Sequence, residues 1–168
     1  MPCRPLWVRP KLGGMMDAPF RLAYRLAYQV MRIYWAVRRP RTHGALVAIW
    51  VDQRILLIRN SYVSYYSLPG GYVKSGETGL DAAVRELREE IGLIVPSSDL
   101  RPSVDEHHDW HGKREWLQIY ELHVEQEPKV KVDNREVVSA AFYTPIEALK
   151  LELYPPLRKH IEQKMQPQ

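Results

Sequence analysis

Cysteine is nearly absent from this chain of 168 residues, in which Cys3 is the single example. One cysteine cannot close a disulfide within the chain, so a reducing compartment is expected and the cytoplasm is the predicted location. Internal repeats are lacking as well. The length, with 45% hydrophobic and 26% charged residues, is typical of one globular domain with its own core.

An uninterrupted apolar run long enough to cross a bilayer is also missing. The most apolar stretch, residues 18–37, contains Arg21, Arg25 and Arg32. At mid-bilayer these arginines would cost about 8–10 kcal/mol, whereas the Leu, Ile, Phe and Val residues would contribute about 3 kcal/mol, so spanning is unfavourable. The arginines also interrupt any signal-peptide core, and the stretch has none of the serine expected of a transit peptide.

Acidic residues are scarce in the first quarter of the chain. Residues 1–44 hold nine Lys or Arg and one acid, Asp17, which gives a net charge of +8. Because the whole chain carries +4, the remainder carries −4. This asymmetry indicates that a basic N-terminal arm and an acidic body do different jobs.

The arm is predicted to have two parts. Residues 1–16 are expected to be disordered, or to precede a translation start at Met15 or Met16. Residues 17–43 are predicted to form a basic amphipathic helix and a linker, which Pro40 follows as a helix stop. The remaining residues, 44–168, are predicted to form the main domain.

The predicted N-terminal helix has two candidate uses. It can pack on the main domain or on a second copy of the chain as a homodimer, because so much exposed apolar surface is unusual on a monomer. Alternatively, it can lie on an anionic membrane surface with Arg21, Arg25 and Arg32 facing the lipid. The apolar side expected to make the packing contact consists of Phe20, Leu22, Tyr24, Leu26, Tyr28, Met31, Ile33, Tyr34 and Trp35.

The body of the chain alternates strand-like and helix-like segments. Residues 45–51 and 54–60 form two β-type runs separated by Asp52 and Gln53, which predicts a hairpin. A helix is predicted over residues 79–91. Further strands are expected at 114–125 and 136–144, and closing helices at 145–151 and 155–165. This mixture predicts either an α+β fold or an α/β/α sandwich in which helices cover a sheet.

Three acids lie close together on the predicted helix 79–91. Glu86, Glu89 and Glu90 have i, i+3, i+4 spacing, so they share one side of the helix. Carboxylates this close repel one another unless a positive charge lies between them, and oxygen ligands suit Mg²⁺ or Mn²⁺. Arg85 can pair with Glu89 or with Glu77.

The local signals around this helix are consistent with one another. Thr78 and Asp81 have capping-box spacing, and Gly92 is placed to end the helix. The Gly70-Gly71 pair before the helix lets the backbone approach the acids closely.

The segment resembles the Nudix box, the signature of the Nudix hydrolase family: G-x5-E-x7-R-E-U-x-E-E-x-G-U, where U is apolar. Every spacing is intact, with Gly71, Glu77, Arg85, Glu86, Leu87, Glu89, Glu90, Gly92 and Leu93. The resemblance implies an α/β/α sandwich around a mixed sheet. It also implies Mg²⁺- or Mn²⁺-dependent hydrolysis of the diphosphate linkage in a nucleoside diphosphate joined to another moiety.

The resemblance also implies residue roles. Glu86, Glu89 and Glu90, with the carbonyl of Gly70, match the metal ligands of the family. Arg85 and Glu77 match the pair that orients the helix and its loop. The general base is either Glu86 or an acid outside the box, for which Glu136 is the best positional match and Asp133 a weaker one.

Substrate identity is less defined. Some subfamilies carry a proline or tyrosine in the window that residues 108–111 occupy here, and neither is present, which weighs against ADP-ribose and dinucleoside polyphosphates. Nucleotide-sugar or ADP-ribose type substrates remain slightly favoured over nucleoside triphosphates and capped or triphosphorylated RNA. Nucleic acid is not favoured as a partner. The candidate substrate contacts are Arg59 for a phosphate, and Tyr65, Tyr66 and Trp110 for stacking on a base.

Two alternatives complete the predictions. Residues 105–111 have a metal-like composition, but we predict a polar loop rather than a zinc site. The second class of function is a nucleotide-binding Nudix module without turnover. Such modules usually lose box acids, and this chain retains them.

Overall fold

The computed structural model of the protein describes residues 17–166. The prediction for residues 1–16 therefore lies outside the described residues. The helices are α1 (Asp17–Arg38), α2 (Gly79–Ile91), α3 (Pro145–Ala148) and α4 (Pro155–Met165). The strands are β1 (Arg41–Val51), β2 (Arg54–Asn60), β3 (Gly70–Tyr72), β4 (Arg101–Trp110), β5 (Lys113–Val124) and β6 (Val137–Tyr143).

The six strands form one mixed sheet in the order β4-β5-β1-β2-β6, and β3 pairs with β1. β1 runs parallel to β5 over its whole length, from Arg41 opposite Arg114 to Val51 opposite Val124. The other pairings are antiparallel. Because a central strand has both faces covered, β1 carries the continuous apolar run that the sequence shows.

Alternating side chains of β1 divide the core into two layers. Val47 and Ile49 pack with Leu87 of α2 on one face. Ala48 and Trp50 pack with α3 and α4 on the other face. The predicted α/β/α sandwich around a mixed sheet is therefore confirmed.

Local sequence signals placed most elements correctly. The β1–β2 hairpin turns at Asp52 and Gln53, and α2 has the predicted bounds. β3 and β4 are strands that the sequence did not predict, and residues 105–110 lie in β4 rather than in a polar loop. β4 is an edge strand with an alternation of exposed and half-buried residues, and its few apolar side chains give little periodicity.

α1 packs on the body through Tyr24, Tyr28 and Trp35 of the predicted contact side, and through Arg21 and Arg25. Arg21 Nε donates to the carbonyl of Asn134 at 2.8 Å, and Arg25 Nε donates to the carbonyl of Ser61 at 3.0 Å. Trp35 is buried. The most exposed of its large apolar residues form an outer ridge along the helix: Leu22, Leu26, Val30, Ile33 and Val37, each 57–75% exposed.

Part of the predicted contact side thus meets the body, whereas its members Phe20, Leu22, Leu26, Met31, Ile33 and Tyr34 remain exposed. Packing on a second copy of the chain and contact with an anionic membrane surface both stay predictions. None of the described helices, α1 included, has the combination of length and apolarity needed to cross a membrane.

Candidate active site

The N-terminal cap of α2 fixes the start of the helix, and so determines which of its side chains face the core and which face outwards. Thr78 Oγ1 accepts from the amide of Asp81 at 3.1 Å, and the Thr78 amide donates to Asp81 Oδ2 at 3.1 Å, so the predicted capping box is present. Gly92 ends the helix in the left-handed region. Leu87 and Ile91 are buried in the core, which leaves the acidic side of the helix facing a cleft.

Arg85 connects the acids of α2 to the preceding loop. Its Nε and Nη2 contact the two carboxylate oxygens of Glu77 at 2.7 and 3.0 Å, and Nη2 also donates to the carbonyl of Tyr72. Its Nη1 contacts Glu86 at 2.5 Å and Glu89 at 3.1 Å. The hydrogen bonds from Arg85, with the amide of Lys74, hold the pKa of Glu77 at about 2. The Arg85 guanidinium thus connects Glu77, in the loop before α2, with Glu86 and Glu89 on the helix.

Two glycines bring the backbone against the carboxylates. Gly70 has φ +142°, and any Cβ there would collide with the carbonyl oxygen of Ala45. Its amide donates to Glu90 Oε2 at 2.7 Å. A Cβ on Gly71 would lie 2.6 Å from Glu86 Oε1, so the Glu86 carboxylate occupies the space that a side chain would fill. The predicted close approach of backbone and acid is present.

Burial and neighbouring negative charges raise the pKa of two acids in the cleft, Glu90 and Glu136. Glu90 is half-buried, and burial raises its pKa well above the ordinary value. The negative charges of Glu86 and Glu136 raise this pKa further, whereas the hydrogen bond from the Gly70 amide lowers it. Glu136 accepts a hydrogen bond from the Tyr62 hydroxyl at 3.2 Å. Burial, with the negative charges of Asp133 and Glu86, raises the pKa of Glu136. A cation would relieve this repulsion.

These acids line a cleft of about 550 Å³. Aromatic rings make up a large part of its remaining surface. Its aromatic lining consists of Tyr24, Tyr28, Trp35, Tyr62, Tyr65, Tyr72, Trp110 and Tyr154. The cleft therefore joins a carboxylate cluster to an apolar, ring-lined space, which is a common composition for a small-molecule site.

The donor set fits a hard divalent cation by its chemistry. Glu86, Glu89 and Glu90 offer carboxylate oxygens, which Mg²⁺ and Mn²⁺ prefer, and Glu90 is disfavoured as an unpaired anion. In the described part of the chain, no three His, Cys, Asp or Glu side chains are arranged to hold an ion as they stand. Arg85 contacts one oxygen each of Glu86 and Glu89, so each of these carboxylates has a second oxygen that could bind an ion.

Not every predicted site residue lies in this cleft. Trp110, Tyr65 and Glu136 line it, whereas Arg59 and Tyr66 are not among its described lining residues. Arg59 is exposed on β2, and Tyr66 packs edge-on against Tyr143. These two assignments stay predictions.

Asp133 has a local task. Its carboxylate accepts from the amides of Arg135, Glu136 and Val137, and it caps the loop that leads into β6. This arrangement supports the backbone around Glu136 rather than presenting a carboxylate to the cleft.

Sequence reasoning missed the contribution of α1 and of β5. Tyr24, Tyr28 and Trp35 line the cleft from α1, and Lys113 and Glu115 line it from β5. The aromatic spacing of four and seven residues does indicate one helical face. Nothing in the local sequence identifies the surface that this face contacts.

Lys113 and Glu115 form a buried ion pair. The Lys113 Nζ lies 2.7 Å from Glu115 Oε1, and Tyr154 donates its hydroxyl proton to Glu115 Oε2 at 2.6 Å. Burial opposes ionisation of Glu115, but contacts with His108, Lys113 and Tyr154 outweigh burial and hold its pKa at about 2. The positive charge of Lys113 is thus already neutralised inside the cleft.

Comparison with known proteins supports the resemblance to the Nudix family. A family model described as the NUDIX domain matches residues 40–164. A Methanocaldococcus jannaschii protein named ADP-ribose pyrophosphatase is 50% identical over 46 residues, or 26% of this chain and 27% of that protein. The chain's matches span about a quarter to a third of the length of its first curated relatives.

Solved structures agree on the fold. The crystal structure of a MutT NUDIX hydrolase from Burkholderia pseudomallei has a TM-score of 0.65 at 24% identity, covering 73% of this chain and 97% of that one. The E. coli dihydroneopterin triphosphate pyrophosphohydrolase has a TM-score of 0.61 at 22% identity, covering 72% and 92%. With the family match extending over most of its length, the chain belongs to the Nudix hydrolase family.

Proposed function

We propose that the protein hydrolyses the diphosphate linkage of a nucleoside diphosphate joined to another moiety, with ADP-ribose type compounds as the favoured class. The observation that carries the proposal is the convergence of Glu86, Glu89 and Glu90 with Glu136 on one cleft beside the Gly70-Gly71 backbone. The name of the archaeal relative supports the ADP-ribose class. Retention of all the box acids supports turnover rather than binding alone.

In the proposed mechanism, Glu86, Glu89 and Glu90, with the carbonyl of Gly70, hold Mg²⁺ or Mn²⁺. When bound, the ion neutralises diphosphate charge and lowers the pKa of a water molecule. Arg85 holds Glu86 and Glu89 against the loop that carries Glu77, which keeps the carboxylates in place.

Glu136 is the proposed general base, and Glu86 is the alternative. Glu136 faces the cleft, and its raised pKa makes its carboxylate a better proton acceptor at neutral pH than an exposed glutamate. It takes a proton from the attacking water. The water oxygen bonds to one phosphorus, the bridging phosphorus–oxygen bond breaks, and two monophosphate products leave.

The cytoplasm, where such nucleotides occur, is the proposed location.

A hydrolysis screen tests this proposal. We expect phosphate-ester products from at least one of ADP-ribose, nucleotide sugars, NADH, coenzyme A, dinucleoside polyphosphates, nucleoside triphosphates and 5′-triphosphate RNA. Activity should require Mg²⁺ or Mn²⁺ and disappear in excess chelator, because the site presents only oxygen donors. Full turnover in chelator would refute the metal assignment, and no turnover of any compound with either ion would refute hydrolysis.

A further inference from the structure

The N-terminal helix α1 forms one wall of the carboxylate cleft. Tyr24, Tyr28 and Trp35 line the same cleft as Glu86 and Glu90. The helix is an addition to the part of the chain that the Nudix family model matches, which begins at residue 40. The family resemblance therefore assigns nothing to this wall.

The wall is fixed in place by several contacts. Trp35 is buried, and its ring lies 4.9 Å from the Lys113 ammonium. The Tyr28 ring packs 5.9 Å from the Trp35 ring and 5.2 Å from the Tyr62 ring. Arg21 and Arg25 of α1 donate hydrogen bonds to backbone carbonyls of the body. These contacts give the tyrosines a defined position relative to the acids.

The chemistry of the wall favours a planar ring over a phosphate. Lys113, whose ammonium lies over the Trp35 ring of α1, is paired with Glu115 at 2.7 Å, so its charge is satisfied. Aromatic faces, by contrast, bind nucleobases by stacking and accept any base. The cleft, which is lined by the carboxylates and by the aromatic rings, has a volume of about 550 Å³ and is large enough for a nucleotide.

We propose that α1 binds the nucleobase of the substrate through Tyr28, supported by Tyr24, and is thus the specificity element that selects nucleotides over other diphosphates. The inference rests on the proposed function, since the diphosphate is taken to meet the glutamates while the attached nucleoside lies against α1. It names a contact that the Nudix box does not supply.

Calorimetric titration with AMP tests the inference without any turnover. AMP has no diphosphate linkage to cleave, and ribose 5-phosphate is the matched ligand without a base. We expect the wild type to bind AMP more tightly than ribose 5-phosphate in Mg²⁺ buffer. Tyr28→Leu should weaken AMP binding about tenfold, in the range for loss of one base–aromatic stack, and should remove most of the difference between the two ligands.

Two variants on the same helix complete the design. Tyr28→Phe keeps the ring and should bind AMP within about twofold of the wild type, whereas a loss equal to that of Tyr28→Leu would overturn stacking. Leu26→Ala lies on the outer ridge, 60% exposed, and should change nothing. Thermal unfolding of each variant shows whether α1 stays in place.

Equal AMP affinity in the wild type and Tyr28→Leu, or no preference of the wild type for AMP over ribose 5-phosphate, would overturn the inference. This failure is distinct from failure of the proposed function. A protein that hydrolyses a diphosphate but shows no base-dependent binding loses only the inference, and a protein that binds AMP through Tyr28 without hydrolysing any compound loses only the hydrolase assignment.

Discussion

Arg85 is the residue on which the site's geometry depends most. It contacts Glu77, Glu86 and Glu89 at once, so it holds the acids of α2 and the loop before the helix in one arrangement. Glu90 stands outside this group and is held by the Gly70 amide instead. The acids thus differ in what neutralises them, and Glu90 is the one with the least compensation.

At the residue scale, Glu90→Gln is expected to lower kcat at least a hundredfold, which corresponds to about 2.7 kcal/mol of barrier. The fold should survive, because glutamine has nearly the helix propensity of glutamate and can still accept from the Gly70 amide. Steady-state kinetics with a thermal unfolding curve measure both effects. Glu125→Gln, at an exposed position, serves as the control. Unchanged kcat in folded Glu90→Gln would move the metal site elsewhere.

Gly71→Ala is a second residue-scale test. The added Cβ would lie 2.6 Å from Glu86 Oε1, so the Glu86 carboxylate must move. We expect kcat/KM to fall about tenfold, or about 1.4 kcal/mol, with the unfolding temperature little changed because the displaced group faces the cleft. Wild-type kcat/KM in this variant would mean that the position of Glu86 is not critical.

The residues of the box could be predicted because the signals are local. The cap at Thr78, the stop at Gly92 and the acid spacing all lie within 23 residues, so helical periodicity directs the acids to one side. The contributions of Lys113 and Glu115 could not be predicted. These depend on the pairing of β4 with β5 and on the approach of Tyr154, which are long-range contacts.

At the scale of elements, α1 shows where periodicity stops being informative. The spacing of its arginines and apolar residues correctly predicts a helix with two unlike faces. It could not show which face packs, because the acceptors for Arg21 and Arg25 are carbonyls 113 and 36 residues away in the chain. Polar contacts to loop carbonyls, with tyrosine stacking, decide the orientation.

Trp35→Ala is expected to release α1 while the body stays folded. Truncating a buried aromatic residue costs about 3–5 kcal/mol, and Trp35 is the one buried residue of this helix. Hydrogen exchange should therefore speed up at α1 amides and remain slow in the central strands. Tyr34→Ala is the control, since its side chain is 47% exposed. Protection of α1 that is equal in the two variants would show that Trp35 does not anchor the helix.

At the scale of the whole molecule, Glu121 joins the sheet to the C-terminal helix. Its carboxylate on β5 contacts Lys164 Nζ of α4 at 2.8 Å and accepts from Ser103 Oγ of β4 at 2.8 Å. Burial opposes ionisation of Glu121, but the contacts with Lys164, Ser103 and His123 prevail and hold its pKa at about 2. Three elements are thus linked through one ionised side chain.

Acid should weaken this link. Because the folded-state pKa of Glu121 lies below the ordinary value of 4.5, its stabilisation is present above about pH 4.5 and is lost as the pH falls towards 2. The full shift corresponds to about 3 kcal/mol as an upper limit. Glu121→Gln should lower the free energy of unfolding at pH 7 and reduce its decline between pH 5 and 3, as measured by urea titration. An acid response as steep as that of the exposed Glu125→Gln control would contradict this role.

The position of Trp35 has an optical consequence. Its indole is enclosed between α1 and the body, with the Lys113 ammonium 4.9 Å from the ring, whereas an undocked helix would expose it to water. Its emission should therefore be blue-shifted while α1 is docked and should move to longer wavelength when the helix leaves. Subtracting the spectrum of Trp35→Phe isolates this signal from the other four tryptophans. The chain thus carries its own fluorescent reporter for the docking of α1, which can be read without a label.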